Sequence, residues 1–184
     1  MAGRLKTEIK QRKPFKTLEQ EAFLNLLRTA DALVRRQAMM FKHVGLSHPQ
    51  YNVLRILRGA GPKGLACRDV CERMITRDPD LTRLVDRLEV RGLVARGRDG
   101  KDRRVVTLRI TPAGLRLLKS LDEPVTRLHV QQLGHLGVKQ LRTLIQLLEV
   151  ARQKTPTVLR EYSLHGVEAF SRSAPVPTGK GRGG

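Results

Sequence analysis

The sequence predicts a mainly α-helical protein with one small β-hairpin, and three observations carry that prediction. Apolar residues recur with helical period through most of residues 17–153. Asp78-Pro79 and Thr111-Pro112 read as helix starts, a capping side chain followed by a proline at the first helical position. Between those starts, a basic run containing Gly97 and Gly100 separates two short β-prone segments.

Taken in order, residues 1–16 hold six basic residues and one acid, with Pro14 near the end, and read as a flexible arm. A helix follows from Thr17, with Gln20 placed as in a capping box and Leu18, Ala22, Leu26, Leu33 and Phe41 marking a long apolar face to about Lys42. That face is longer than a compact three-helix domain needs. Gly45 closes it, and Ser47 with Pro49 starts a helix that buries Tyr51, Leu54, Ile56 and Leu57. Gly59, Gly61, Pro62 and Gly64 make a turn, and a short helix spans Cys67 to Met74 with Val70 and Met74 inward.

From the Asp78 cap, Leu81, Leu84, Val85 and Leu88 fall at i, i+3, i+4 and i+7, one face of a helix that Gly92 ends. Leu93-Val94 and Val105 to Ile110 read as strands, the second turning Val106, Leu108 and Ile110 to one face. The Thr111 helix packs through Leu115, Leu118 and Leu121, and Pro124 is expected to kink or interrupt it. A last helix from Val138 to Gln153 turns Leu141, Leu144, Ile145 and Leu148 inward. Residues 154–184 end in a Pro-, Gly-, Ser- and Lys/Arg-rich stretch and read as a basic, largely disordered tail.

Composition sets the class of partner. In 184 residues, 36 Lys and Arg against 17 Asp and Glu leave a formal charge of +19, which favours a polyanion, nucleic acid before a membrane surface. No run of about 18 apolar residues is present, so no membrane span is expected. The basic N-terminus has no apolar stretch behind it, which argues against a secretory signal. Cys67 and Cys71 lie four apart on one helix, a poor geometry for a disulfide, and fit a reducing cytoplasm as small core residues. The five histidines show no metal-ligand spacing with them.

The order helix, short helix, capped amphipathic helix, basic hairpin is that of a winged helix-turn-helix. With the stripe inward, Thr82, Arg83, Asp86 and Arg87 occupy the outer faces of the third helix. Arg83 is the candidate for a bidentate base contact in the major groove, and Thr82 for a thymine methyl or a phosphate. A plain surface helix with solvated charges would share this pattern; the hairpin shifts the balance. Residues 96–104 pack five cations into nine positions, with Arg98, Lys101, Arg103 and Arg104 flanking the turn. An Arg at such a tip is attracted by a narrow minor groove. Asp102, an acid out of place in a DNA-facing loop, reads as a brace for Arg104.

The run from Thr76 to Val94, TRDPDLTRLVDRLEVRGLV, resembles the recognition-helix signature of MarR-type regulators. Asp102-Arg103-Arg104 and Leu108-Arg109-Ile110-Thr111-Pro112-Ala113-Gly114 resemble that family's wing and the start of its next helix. The resemblance implies a homodimer with interlocked terminal helices, here about 17–43 and 112–153, around a winged helix-turn-helix at about 46–111. It implies two lobes on a pseudo-palindromic double-stranded DNA operator, Arg104 in the minor groove braced by Asp102, and Arg83 as the recognition-helix arginine. Arg77, Thr82 and Arg87, with Arg98, Lys101 and Arg103, complete the expected DNA-binding set. Family members are often bacterial repressors released by a small-molecule effector, some of them stress sensors; the reactive cysteine of the oxidant sensors, near the start of the first long helix, is missing here. A nucleoid-associated place in a bacterial cytoplasm follows from the same resemblance.

Two other classes compete. A non-specific architectural or RNA-associated binder would draw its affinity from the tails. An enzyme is disfavoured, because no phosphate-cradling glycine loop, zinc-protease motif or nucleophile elbow is present, and no cofactor is expected.

Overall fold

In the computed structural model the described residues are 4–76, 80–98 and 106–153. They form α1 (Leu5–Glu8), α2 (Leu18–Lys42), α3 (His48–Ala60), β1 (Leu65–Ala66), α4 (Cys67–Arg73), α5 (Leu81–Val90), β2 (Val94–Arg98), β3 (Val106–Ile110), α6 (Pro112–Leu133) and α7 (Gly137–Gln153). The chain divides into two units, residues 1–135 and 136–184, and Leu136 with α7 is the described part of the second. The fold is that of the sequence expectation: helical, with a small antiparallel sheet.

The helices begin where their caps dictate. Ser47 and Gln50 form a reciprocal capping box at α3, each side chain accepting from the other's backbone N–H. At α2 the Thr17 hydroxyl accepts from Gln20 N–H, while the Gln20 side chain reaches one residue further back, to Lys16 N–H at 2.9 Å. One core joins α2 to α6: Phe41, Val53, Leu54, Leu57, Val70, Val85, Leu88 and Leu118 are sealed from water. Phe41 stacks on Tyr51 with ring centroids 4.3 Å apart.

Several expectations need correction. The arm over 1–16 is not bare coil: its described part holds α1, which packs on α2 and buries Leu5. One apolar side chain with a surface to cover is enough to order that turn. The sheet has three strands in the order β1-β3-β2, the two-residue β1 pairing Leu65 with Leu108 and Ala66 with Thr107. On β3 the expected alternation holds only in part. Leu108 is buried, but Val106 is 41% exposed, at the end of the strand remote from the core, and Thr107 is covered instead. Leu115 and Ile145, expected inward, are exposed, and no residue of α7 is fully buried.

Pro124 does not interrupt α6, which runs unbroken from Pro112 to Leu133 before a 3-10 turn at Gly134–Leu136. An interior proline costs about 3 kcal/mol. Leu121 and Val125, buried on either side of it, recover about 1.5–3 kcal/mol each, so packing carries the helix across the missing bond.

The start of α6 is fastened to the turn between α5 and β2. Thr111 Oγ1 donates to the Gly92 carbonyl at 2.6 Å and accepts from Gly114 N–H, while Thr111 N–H donates to the Leu93 carbonyl at 3.1 Å. Gly114 sits so near that a β-carbon there would collide with the Leu93 carbonyl oxygen and with Ile110 Cγ1. Open helical sites gain up to about 1 kcal/mol from Gly→Ala, whereas overpacking costs about 1–3 kcal/mol. Gly114→Ala is therefore expected to destabilise the protein in urea unfolding; a rise in stability would show that this approach is not rigid.

Candidate nucleic-acid interface

The centre of the site is α5, a ten-residue helix with one face inside and one outside. Leu81, Leu84, Val85 and Leu88 are buried, and this leaves Thr82, Arg83 and Arg87 exposed. Its cap is Asp80, whose carboxylate accepts from Arg83 N–H at 3.3 Å, rather than Asp78. The helix begins two residues later than the Asp-Pro signal placed it. Asp78 and Pro79 lie outside the described residues. At the other end Gly92, at φ +65°, takes the left-handed turn that lets Leu93 N–H bond back to the Leu88 carbonyl.

Long-range contacts fix this helix in place. Before it, Asn52 of α3 is buried and its Oδ1 accepts from Ile75 N–H at 3.0 Å, which holds the segment after α4. After it, Arg91 donates to the carbonyls of Val44 at 2.9 Å and Gly45 at 2.5 Å, the corner between α2 and α3. Alongside it, Arg96 of β2 bridges Asp86 and Glu89. None of these three anchors was predicted from sequence. Each joins residues 7 to 47 positions apart, and only the Arg-rich character of residues 91–98 hinted at the last two.

Of the predicted DNA-binding residues, the structure brings Thr82, Arg83 and Arg87 to one exposed surface. Arg83 is not idle there: its Nε lies 3.2 Å from Asp80 Oδ2, in a pair whose side chains are 78% and 49% exposed. Pairs so exposed are worth at most about 1 kcal/mol and exchange readily for a stronger anion. Arg98 ends β2, paired in register with Val106. Arg77, Lys101, Asp102, Arg103 and Arg104 lie outside the described residues, as does the tail 154–184.

The two cysteines differ from the expectation that both sit in the core. Cys67 is partly buried against it and Cys71 is exposed, and both are free. Burial pushes the Cys67 thiol up, against the pull of the nearby Arg96 charge. Burial likewise holds the His48 imidazole below its ordinary value. Among the described residues no cluster of His, Cys, Asp and Glu is arranged to hold a metal, and no helix is long and apolar enough to cross a membrane.

Comparison with known proteins agrees with this geometry. The model of the MarR family matches residues 44–105. The crystal structure of a MarR transcription factor from Planctomyces limnophilus is 47% identical, covering 74% of this chain and 99% of that one, with a TM-score of 0.58. The PcaV transcriptional regulator from Streptomyces coelicolor, solved in complex with its natural ligand, is 26% identical over 77% of this chain and 99% of its own, with a TM-score of 0.64. The HTH-type transcriptional regulator TtmR of Methylorubrum extorquens is 31% identical over 58% of this chain; the match spans only 53% of that protein. A buried-stripe helix braced against a three-stranded wing, with near-complete coverage of a MarR transcription factor at 47% identity, establishes that this chain belongs to the MarR family of winged helix-turn-helix transcriptional regulators.

Proposed function

We propose that the protein is a homodimeric, sequence-specific regulator that reads a pseudo-palindromic operator in double-stranded DNA and is released by a small-molecule effector. The observation that carries the DNA reading is the outward face of α5. It presents Thr82, Arg83 and Arg87 beside a strand pair whose connecting residues, 99–105, contain Lys101, Arg103 and Arg104. A helix enters the major groove and a basic hairpin the minor groove, with Asp102 bracing Arg104. Arg77 and Arg98 extend the same cationic set. The protein acts on the DNA of a bacterial cytoplasm and is not an enzyme.

Dimerisation is supported by apolar surface that the single chain leaves open. On α2, Phe23, Leu26, Leu27 and Val34 are 45–58% exposed, and they fall on one face of the helix. On α7, Ile145, Leu147 and Val150 are more than half exposed. Helices of this character, one at each end of the domain, are stem-forming in a winged regulator. Effector control is supported by the ligand complex of PcaV, a relative of full-domain coverage.

An operator is first obtained by enriching a randomised 30-base-pair library on the wild-type chain. A regulator prefers its site by about 10³ or more over random duplex, and Arg83→Ala should cut that preference by about 10- to 100-fold, as loss of one bidentate base contact does. Competition anisotropy measures it, and an unchanged preference would remove Arg83 from the reading set. A chain that enriches no sequence at all is instead a general nucleic-acid binder.

Phe23→Glu with Leu27→Glu should convert the dimer to monomer in sedimentation and abolish operator binding, with the α5 lobe still folded by circular dichroism. A double variant that sediments as wild type would move the interface off this face of α2.

A further inference from the structure

A helix that must approach phosphates carries two carboxylates near its reading face. Asp86 and Glu89 lie one turn apart on α5, with side chains 48% and 38% exposed. Uncovered, they would set two negative charges against the DNA backbone beside Arg83 and Arg87. Arg96 covers both. One terminal nitrogen of its guanidinium lies 2.5 Å from Asp86 Oδ1 and the other 2.9 Å from Glu89 Oε2. The second oxygen of Glu89 accepts from the Arg96 backbone N–H at 3.2 Å. Glu89 thus holds the main chain and the side chain of one residue at once. Such a contact sets the rotation of β2 against α5, which a single tether does not. The planar guanidinium reaches two carboxylates in a fixed geometry that an ammonium lacks.

We propose that Arg96 is a positioning residue for DNA recognition. It fixes the angle between the reading helix and the wing, and its single positive charge, shared between Asp86 and Glu89, halves the negative charge they would set against the DNA backbone. Arg96 therefore spends its charge inside the protein and touches no phosphate, although it opens the basic run of the hairpin. The inference rests on the DNA-reading function proposed above.

The test uses the full chain, the duplex enriched from the randomised library and a scrambled duplex of the same composition. Arg96→Met should bind both duplexes about tenfold more weakly or worse and lose part of its preference, with an unchanged salt slope. Adding Asp86→Asn and Glu89→Gln to that variant should restore binding to the scrambled duplex, because the repulsion is gone. The preference should stay low, because the angle is still free. Arg96→Lys should keep scrambled binding near wild type with an intermediate preference. In free protein, Arg96→Met should speed amide exchange at Arg96 and along β2 while Leu84 and Leu88 in α5 stay protected.

A fall in salt slope of about 0.9 in Arg96→Met marks one lost phosphate contact. Together with no rescue by the two amides, it would make Arg96 a direct DNA ligand and overturn the proposal. Unchanged affinities in Arg96→Met overturn it as well. If the wild type enriches no duplex, the regulator function fails instead, and unchanged exchange along β2 would then reject the clamp on its own terms.

Discussion

Everything on the outer surface of this domain depends on how firmly one face of α5 is buried. Leu81, Leu84, Val85 and Leu88 are each at most 8% exposed, and each stabilises its position by about 1.5–3 kcal/mol. A ten-residue helix has little stability alone, since nucleation is costly and few turns follow it. Its helicity is therefore a property of the core. The rotation of the helix about its axis is set there too, and that rotation decides which side chains face outward.

Burial fixes rotation but leaves the helix free to tilt and slide along its seat. The polar anchors remove that freedom at separate points. Asn52 holds the backbone ahead of α5, Arg91 grips the carbonyls of Val44 and Gly45 behind it, and Arg96 spans its flank. Solvent-screened contacts such as those of Arg91 and Arg96 are worth about 1 kcal/mol or less each, whereas leaving the buried Asn52 amide unpaired would cost about 1–3 kcal/mol. Two of the three anchors are arginines whose charge is used within the fold. The formal +19 therefore overstates what the surface offers to a polyanion.

The sequence was most legible where the signal is local and periodic. The stripe of α5, its glycine stop at Gly92, the caps at Thr17, Ser47 and Thr111 and the hairpin strands are all written within a few residues of where they act. What was missed is non-local. The two-residue β1 has no period of its own and exists only because Leu108 and Thr107 pair with it. Pro124 looked like a break because its cost is local, while the compensation from Leu121 and Val125 is tertiary. Leu5 could not be assigned a place without the surface of α2 beneath it. At the site, the outward set on α5 was readable, whereas the pairing of Arg83 with Asp80 and of Arg96 with two acids depends on rotamers and on the chain folding back.

One helix joins the far part of the unit to the α5–β2 turn. Helix α6, 22 residues and about 33 Å long, touches both. Its first turn is fastened to the Gly92 and Leu93 carbonyls, the turn from which the wing departs, and in its middle Asp122 takes Arg58 of α3 at 2.9 Å through both oxygens. Toward its end the Gln132 amide donates to the Leu33 carbonyl of α2 at 3.0 Å, and His129 meets the buried Gln37 at 3.3 Å. A packed helix moves as a unit, because its neighbours cannot deform continuously. A displacement of α2 against α6 is therefore felt at the α5–β2 turn, which Arg91 also ties directly to the Val44 and Gly45 carbonyls just past the end of α2. That turn leads into β2, whose Arg96 bridges Asp86 and Glu89 of α5, so α6 borders the contact that holds β2 against α5.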